Sequence, residues 1–454
     1  MTATITLGVE VIDTKDLGDR SYVVSDGDRV VVVDPQRDID RVEALLDGRP
    51  VTHVLETHIH NDYVTGGLAL ARRTGATYVV PAGVDVAYER EAAADRDTFT
   101  SGDMTWDVVA TPGHTPHHLS YAVTLGAETA VFTGGSLLLG SVGRTDLVDP
   151  GLTESLTHDQ WRSARRLVDR LPPQARVLPT HGFGSFCSAT PTTSDASTVG
   201  EQAAVNPALV QDEATFVRDL LAGLDAYPAY YAHMAPANLA GPGPVDLSLP
   251  APADPADLQR RIAAGEWVVD LRSRAVFAEG FLRGTLSFDS DGNVVTYLGW
   301  LLPWGTPVTL LGDTTDQVAE VQRGLARIGI DRPAAHAVGG PQHWAEGVEL
   351  ARYPRTDFAG LAGAQRDGTD PVVLDVRLGN EWHESHVRGA LHVPLHQLAD
   401  RVGELPDRPL WVHCGSGFRA AVAASWLAAR GRRVVHVDQD FDKAAEAGLD
   451  LVAG

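Results

Sequence analysis

The chain is poor in cysteine: Cys187 and Cys414 are the only two in 454 residues. A secreted scaffold stapled by disulfides needs many more, so both are expected as reduced thiols in a cytoplasmic protein. Lysine is nearly missing as well. Lys15 and Lys443 stand alone, and arginine carries almost all of the positive charge. No apolar run is long enough to span a bilayer. The first residues, MTATITLGVEVIDTKDLGDRSY, lack the basic-then-apolar pattern of a signal peptide. Positive charge is scarce overall, and the formal balance of −23 repels phosphate backbones and anionic lipid. Nucleic-acid and membrane partners are therefore not expected, while a small anion held by a local arginine is. What is present, 44% hydrophobic and 21% charged residues, suits a globular protein. The length exceeds one ordinary core, so several domains are expected.

Apolar runs and turn residues divide the chain into blocks. From residue 1 to 210, strand-like segments alternate with helical patterns, as in SYVVSDGDRVVVVDP and VTHVLETHIH. Several of these strands end in loops bearing Gly or His, where α/β proteins place their sites. In residues 211–254, EATFVRDLLAGL looks helical, the stretch after it is rich in Pro, Ala and Gly, and the whole is expected as a linker segment. An internal repeat follows. VVDLRSRAVFAEGFLRGTL aligns with VLDVRLGNEWHESHVRGAL, and the spans Asp270 to Gly284 and Asp375 to Gly389 have equal length. Two copies of one α/β unit, at 255–352 and 356–454, are the economical reading.

Chemistry concentrates in two places. In THIHNDYVTGG, His58, His60 and Asp62 occupy a loop after a strand, and alternate residues of such a loop can aim at one point. His114 in ATPGHTPHH and His181 in LPTHG extend the set, and neutral imidazoles suit zinc or iron. In VHCGSGFRAAVAASWL, Cys414 ends a strand and a helix starts near Arg419. A short Gly-bearing loop on a helix N-terminus turns its N–H groups inward and favours an anion. A thiolate there can hold a sulfane sulfur as a persulfide, with Arg419 closing the loop and stabilising an anionic donor.

HxHxD, then TPGHT, then FTG…GxxGRxD and a late His-Gly resemble the metallo-β-lactamase superfamily. Within it the chain is similar to persulfide dioxygenases fused to tandem rhodanese domains. The resemblance implies an N-terminal αββα fold followed by two α/β rhodanese-like domains. The first of these offers Asp313 where the second has Cys414, and is expected to be an inactive copy. The resemblance also implies one non-haem Fe(II) held by His58, His114 and a carboxylate at position 135. This sequence has Gly135, so the third ligand position is empty as written. Three arrangements stay open: water or substrate sulfur at the vacant position; His60 completing a three-imidazole zinc site; or a metal-free domain. Asp62 and His181 stand as further ligand candidates. Gly135→Asp is expected to tighten iron binding, provided the side chain fits beside Gly134. Tyr63 replaces a second-metal histidine. Tyr63, Arg144 and Cys187 are candidates for substrate contact, although Arg144 also reads as the partner of Asp146 in a loop-fixing ion pair.

The implied activity is oxidation of a low-molecular-weight thiol persulfide to sulfite, with sulfurtransfer through Cys414 involving sulfite or thiosulfate. Two other readings remain: a zinc-dependent hydrolase of thioester type, and a sulfur carrier with a degenerate metal domain. The identity of the thiol, the direction of transfer and any oligomer are left open by the sequence.

Overall fold

The structure, a computed structural model, describes residues 6–190, 192 and 194–454. Two compact units emerge, one reaching to Val245 and including Ala326–Gly329, the other formed by Asp246–Leu325 and Ile330–Gly454.

In the first unit, strand formation follows residue alternation. Along Val30–Val33, Val31 and Val33 join Tyr22, Leu55, Trp106, Tyr121 and Phe132 in one cluster. Val30 and Val32 turn the other way, towards Val42, Val54 and Leu70. A strand buried on both faces therefore reads as an unbroken apolar run. One six-stranded sheet takes Gly8–Thr14, Asp19–Ser25, Val30–Val33, Val51–Leu55, Thr77–Pro81 and Glu91–Ala93 in chain order. The other runs Ser197–Thr198, Arg176–Pro179, Glu128–Gly134, Leu119–Leu125, Met104–Ala110 and Thr98–Ser101 from edge to edge. The cluster around Trp106 and Phe132 fills the space between the sheets. Helices Asp40–Leu46 and Gly67–Thr74 cover the first sheet, and Thr153–Arg170 covers the second. This is the expected αββα arrangement.

The stretch 211–254, expected as a linker, is a different matter. Helix Glu213–Gly223 starts on Asp212, whose side chain accepts from the Thr215 amide. It buries Phe216, Val217 and Leu220 in the core cluster that Thr153–Arg170 also joins. Such burial stabilises by about 1.5–3 kcal/mol per side chain, enough to offset the freedom a linker would keep. Helix Tyr231–Ala240 also belongs to this unit, which extends to Val245. The helical pattern of EATFVRDLLAGL is present as expected, and three apolar residues at helical spacing dock it on the core instead of leaving it in a linker.

The second unit contains the repeat. Its first half has a parallel sheet ordered Leu286–Ser287, Trp267–Asp270, Val308–Gly312, Ala335–Val338. The second half repeats that order as Leu391–His392, Val372–Asp375, Leu410–His413, Val434–Val437, and adds Arg355–Thr356 at the edge. The repeated aspartates do the same work in both. Asp270 pairs with Arg272 at 2.6 Å and Asp375 with Arg377 at 2.7 Å, each buried. Among the described residues, no helix is long and apolar enough to cross a membrane.

Candidate metal centre and sulfur-carrying loop

Four strands of the first unit, Val51–Leu55, Met104–Ala110, Glu128–Gly134 and Arg176–Pro179, run into loops bearing His58, His114, Gly135 and His181. The loops are tied together by Asp34, a buried residue in the left-handed region at φ 48°. It accepts from the Thr57 amide at 2.7 Å and the Thr57 hydroxyl at 2.8 Å, and also from the Thr180 hydroxyl.

The five histidine and aspartate candidates, His58, His60, Asp62, His114 and His181, come together fully buried. Their hydrogen bonds fix which nitrogen faces the centre. His114 Nδ1 lies 2.8 Å from the Arg144 carbonyl oxygen, which can only accept, so Nδ1 carries the proton. Its Nε2 is left buried without a partner. Thr57 spends its hydroxyl proton on Asp34, so its oxygen accepts from His58 Nδ1 at 2.9 Å. That leaves His58 Nε2 with a lone pair. His181 Nδ1 sits 2.9 Å from Asp19 Oδ1 and 3.2 Å from Asp62 Oδ2. Its Nε2 faces His58 Nε2 at 3.3 Å.

Burial, helped by the neighbouring imidazoles, pushes His58 well below the usual histidine range. Burial likewise brings His114 down to about 3. Both are therefore neutral bases. His60 differs. Burial alone would lower it, but Asp34 and Glu56, 3.2 Å and 3.3 Å from its Nε2, push it up to about 9. Its Nδ1 has no partner.

The substrate candidates separate. Tyr63 is buried behind His60, stacked on that ring with its hydroxyl 3.0 Å from Nε2. Arg144 holds Asp146 through two bonds of 2.7 Å and 2.8 Å and donates to the Asp225 carbonyl at 2.7 Å. Cys187 is buried beside His114 and His181, its Sγ 3.7 Å from the Tyr231 hydroxyl. Burial, reinforced by Asp62 and Asp19, raises its thiol well above the usual range. Tyr231 opens onto a cavity of about 570 Å³ that also touches Asn61, Thr115, His117 and Tyr227. Asp19, Asp34 and Tyr231 carry no spacing signature, and only the fold brings them here.

In the second unit, Cys414 follows strand Leu410–His413, is buried, and its Sγ accepts from the Gly417 amide at 3.1 Å. Helix Phe418–Ala429 starts at once, with Gly417 at φ 93°. A Cβ at 417 would run into the Asp438 carboxylate, so the position demands glycine. Arg419 does not reach freely into the loop. Glu381 grips its guanidinium through bonds of 2.5 Å and 2.7 Å.

Comparison with known proteins places both halves. Residues 16–181 match the metallo-beta-lactamase superfamily, and residues 359–447 match the rhodanese-like domain. The chain carries a metallo-beta-lactamase domain followed by a rhodanese-like domain. The mitochondrial persulfide dioxygenase ETHE1 of Bos taurus is 28% identical over 243 residues, 51% of this chain and 82% of that protein. A hydroxyacylglutathione hydrolase of Rhizobium johnstonii is 33% identical over 138 residues, 30% of this chain. The chain spans only 50% of that hydrolase's length. Among solved structures, a metallo-beta-lactamase of Staphylococcus aureus subsp. aureus COL superposes with a TM-score of 0.65 at 26% identity, covering 73% of this chain and 99% of its own.

The metallo-beta-lactamase domain implies a metal, and its buried atoms fit one. Unpartnered His114 Nε2, His60 Nδ1 and Asp62 Oδ1 point to a missing ligand. The two facing Nε2 atoms of His58 and His181 repel unless a cation or proton lies by them. Their 3.3 Å spacing is one that two imidazoles at about 2.0–2.1 Å from a single ion also adopt. The inward Nε2 atoms of His58, His114 and His181 are each backed by an oriented Nδ1, as metal-ligating histidines require.

The expectation for Gly135 needs correction. A Cβ at 135 would strike the His114 ring, with Cγ 2.6 Å and Nε2 2.8 Å away. The space beside Gly135 is therefore filled by His114 and not open. Gly135→Asp is expected to displace His114 and loosen metal binding, at a cost in stability of about 1–3 kcal/mol. Metal content and thermal melting check this, and tighter iron binding in the variant refutes it.

Proposed function

We propose that the chain is a sulfur-metabolism enzyme in which the metallo-beta-lactamase domain oxidises a low-molecular-weight thiol persulfide. Cys414 of the rhodanese-like domain moves sulfane sulfur in the same metabolism. The observation that carries this is the buried donor set, His58 Nε2 and His114 Nε2 facing inward with fixed tautomers, in a domain that is 28% identical to a persulfide dioxygenase over 82% of that protein's length. A single non-haem iron would be held by His58 and His114, with His60, Asp62 and His181 around them. Bound there, ferrous iron would supply the redox centre for the reaction RSSH + O₂ + H₂O → RSH + SO₃²⁻ + 2H⁺.

The chain's own residues do the rest. The Arg144 carbonyl and Thr57 hydroxyl hold the imidazoles in the binding tautomer. Asp19 and Asp62 orient His181. The cavity past Tyr231 and Thr115 admits the thiol carrier and directs its sulfur towards Cys187 and the histidines.

At the second site the Cys414 thiolate attacks the outer sulfur of thiosulfate. The S–S bond breaks, sulfite leaves with the electron pair, and Cys414 carries a persulfide. A nucleophilic acceptor then takes the terminal sulfur and restores the thiolate. Run in reverse, sulfite from the first reaction is the acceptor and thiosulfate the product.

A second reading, a zinc-dependent hydrolase of thioester type, draws on the hydroxyacylglutathione hydrolase relatives and on the imidazole-rich donor set. Anaerobic purification followed by metal analysis and oxygen uptake with glutathione persulfide separates the two. Stoichiometric iron with persulfide-dependent uptake is expected. Stoichiometric zinc with thioester hydrolysis and no uptake overturns the dioxygenase reading.

A further inference from the structure

The repeat without a cysteine does more than brace its neighbour. We propose that Arg274, in that repeat, is a positioning residue for the sulfur-carrying loop of the other. This rests on the reading of Cys414 as the sulfur carrier.

The loop works only if its amides face the sulfur, and that requires its carbonyls to be drawn the other way. Three donors do this. The Phe441 amide donates to the Gly415 carbonyl at 2.9 Å. His436 Nε2 donates to the Gly417 carbonyl at 3.0 Å. The middle carbonyl, Ser416, accepts from Arg274 Nη2 at 3.4 Å. Two anchors belong to the cysteine's own repeat, and the third comes from the other copy.

Arg274 is itself held for that task. Its amide donates to Asp289 Oδ2 at 3.1 Å, and its Nη1 stands 3.3 Å from the same oxygen. Its Nε pairs with Asp438 Oδ1 at 2.7 Å, the carboxylate that abuts Gly417. Burial alone would raise the Asp438 carboxyl, but Arg274, His436 and Arg355 together hold it below the usual range. One planar guanidinium thus ties Asp289, Asp438 and Ser416 together. Lysine, a point charge without the fork, cannot bridge three acceptors.

Charge sharpens the point. Arg419, the loop's own arginine, is occupied by Glu381. The groups whose charges couple to Cys414 include Arg419, Tyr297 and Arg274. Glu381, Asp289 and Asp438 stand behind the two arginines, and His413 and His436 lie under the loop. Of the two arginines, Arg274 is the one that also fixes the loop's backbone.

The test uses the full chain with Arg274→Ala, Arg274→Lys and Asp313→Ala. Asp313 lies exposed in the same repeat, one residue past Gly312, which the strand register, and not Asp313 as expected, matches to Cys414, and serves as control. Thiosulfate:cyanide transfer gives kcat and KM. Iodoacetamide alkylation of Cys414, followed across pH by peptide mass, reports the loop around the sulfur.

Arg274→Ala is expected to lower kcat/KM by about 10–100-fold, the size of one lost charge-assisted hydrogen bond. It should also displace the alkylation profile to higher pH, while the melting temperature moves little. Arg274→Lys should recover part of both losses, and Asp313→Ala should leave both as in the wild type. Wild-type transfer and an unmoved alkylation profile in Arg274→Ala overturn the inference. So does a loss of transfer with the profile unmoved, since that marks a merely structural arginine. If Arg274→Ala fails to fold, Arg274→Lys decides alone, and a wild-type profile there overturns the proposal. A wild-type chain whose Cys414 neither transfers sulfur nor alkylates defeats this inference and the reading of Cys414 together.

Discussion

Cys414→Ser is expected to abolish sulfurtransfer, by roughly three orders of magnitude or more, as removal of a covalent nucleophile does elsewhere. The Cys414 sulfur already accepts the Gly417 amide at 3.1 Å, at the start of a twelve-residue helix. A serine oxygen there lacks the polarisable, acidic sulfur that takes up sulfane sulfur at neutral pH. The other cysteine cannot substitute, because burial, with Asp62 and Asp19 beside it, raises the Cys187 thiol well above the usual range and holds it protonated. Metal content and oxygen uptake should be unchanged in the variant, since Cys414 lies in the other unit. Residual transfer above a few per cent of wild type, on the scale of the full loss expected, would show that a different residue carries the sulfur.

Legibility in the sequence followed the range of the interactions. The αββα core could be read because Val30–Val33 and its partner strands announce burial on two faces within a few residues. HxHxD and CGSGFR could be read because ligand and cradle lie on single loops. The helix at Glu213–Gly223 could be read from EATFVRDLLAGL, but its docking on the first unit could not, since the core it meets lies elsewhere in the chain. Asp34 and Asp19 were missed for a different reason. Each is a lone carboxylate after or within a strand, and its partners Thr180 and His181 lie more than a hundred residues away. Gly135 shows the limit of motif logic. One letter announces a missing carboxylate, but only the folded loop reveals that the His114 ring stands in its place. Arg274 is the extreme case, since its meaning depends on Ser416 and Asp438 in the other repeat.

The second large effect is expected from the pair His58→Ala with His114→Ala, which should empty the metal centre. Each ring is buried and neutral, with its Nδ1 proton committed, His58 to Thr57 and His114 to the Arg144 carbonyl. Their Nε2 atoms are therefore the inward bases, and no other residue can replace two of them at once. Loss of a supporting residue alone costs about 10–100-fold in metal affinity, and loss of two ligands should exceed that. Single variants at the neighbours should behave differently. His60→Ala removes the imidazole that lies between Asp34 and Glu56 and leaves two buried carboxylates facing each other, 3.2 Å and 3.3 Å from the vacated nitrogen. Breaking such a buried arrangement costs on the order of 3–5 kcal/mol, so the loss should appear in the melting temperature as much as in metal content. His181→Ala does the same to Asp19 and Asp62. The double variant, by contrast, strands no carboxylate and should melt close to the metal-free wild type. Elemental analysis and the visible spectrum of the cobalt-substituted protein, read beside the melting curves, distinguish ligands from supports. Full metal retention in the double variant would remove His58 and His114 from the centre and with them the dioxygenase proposal.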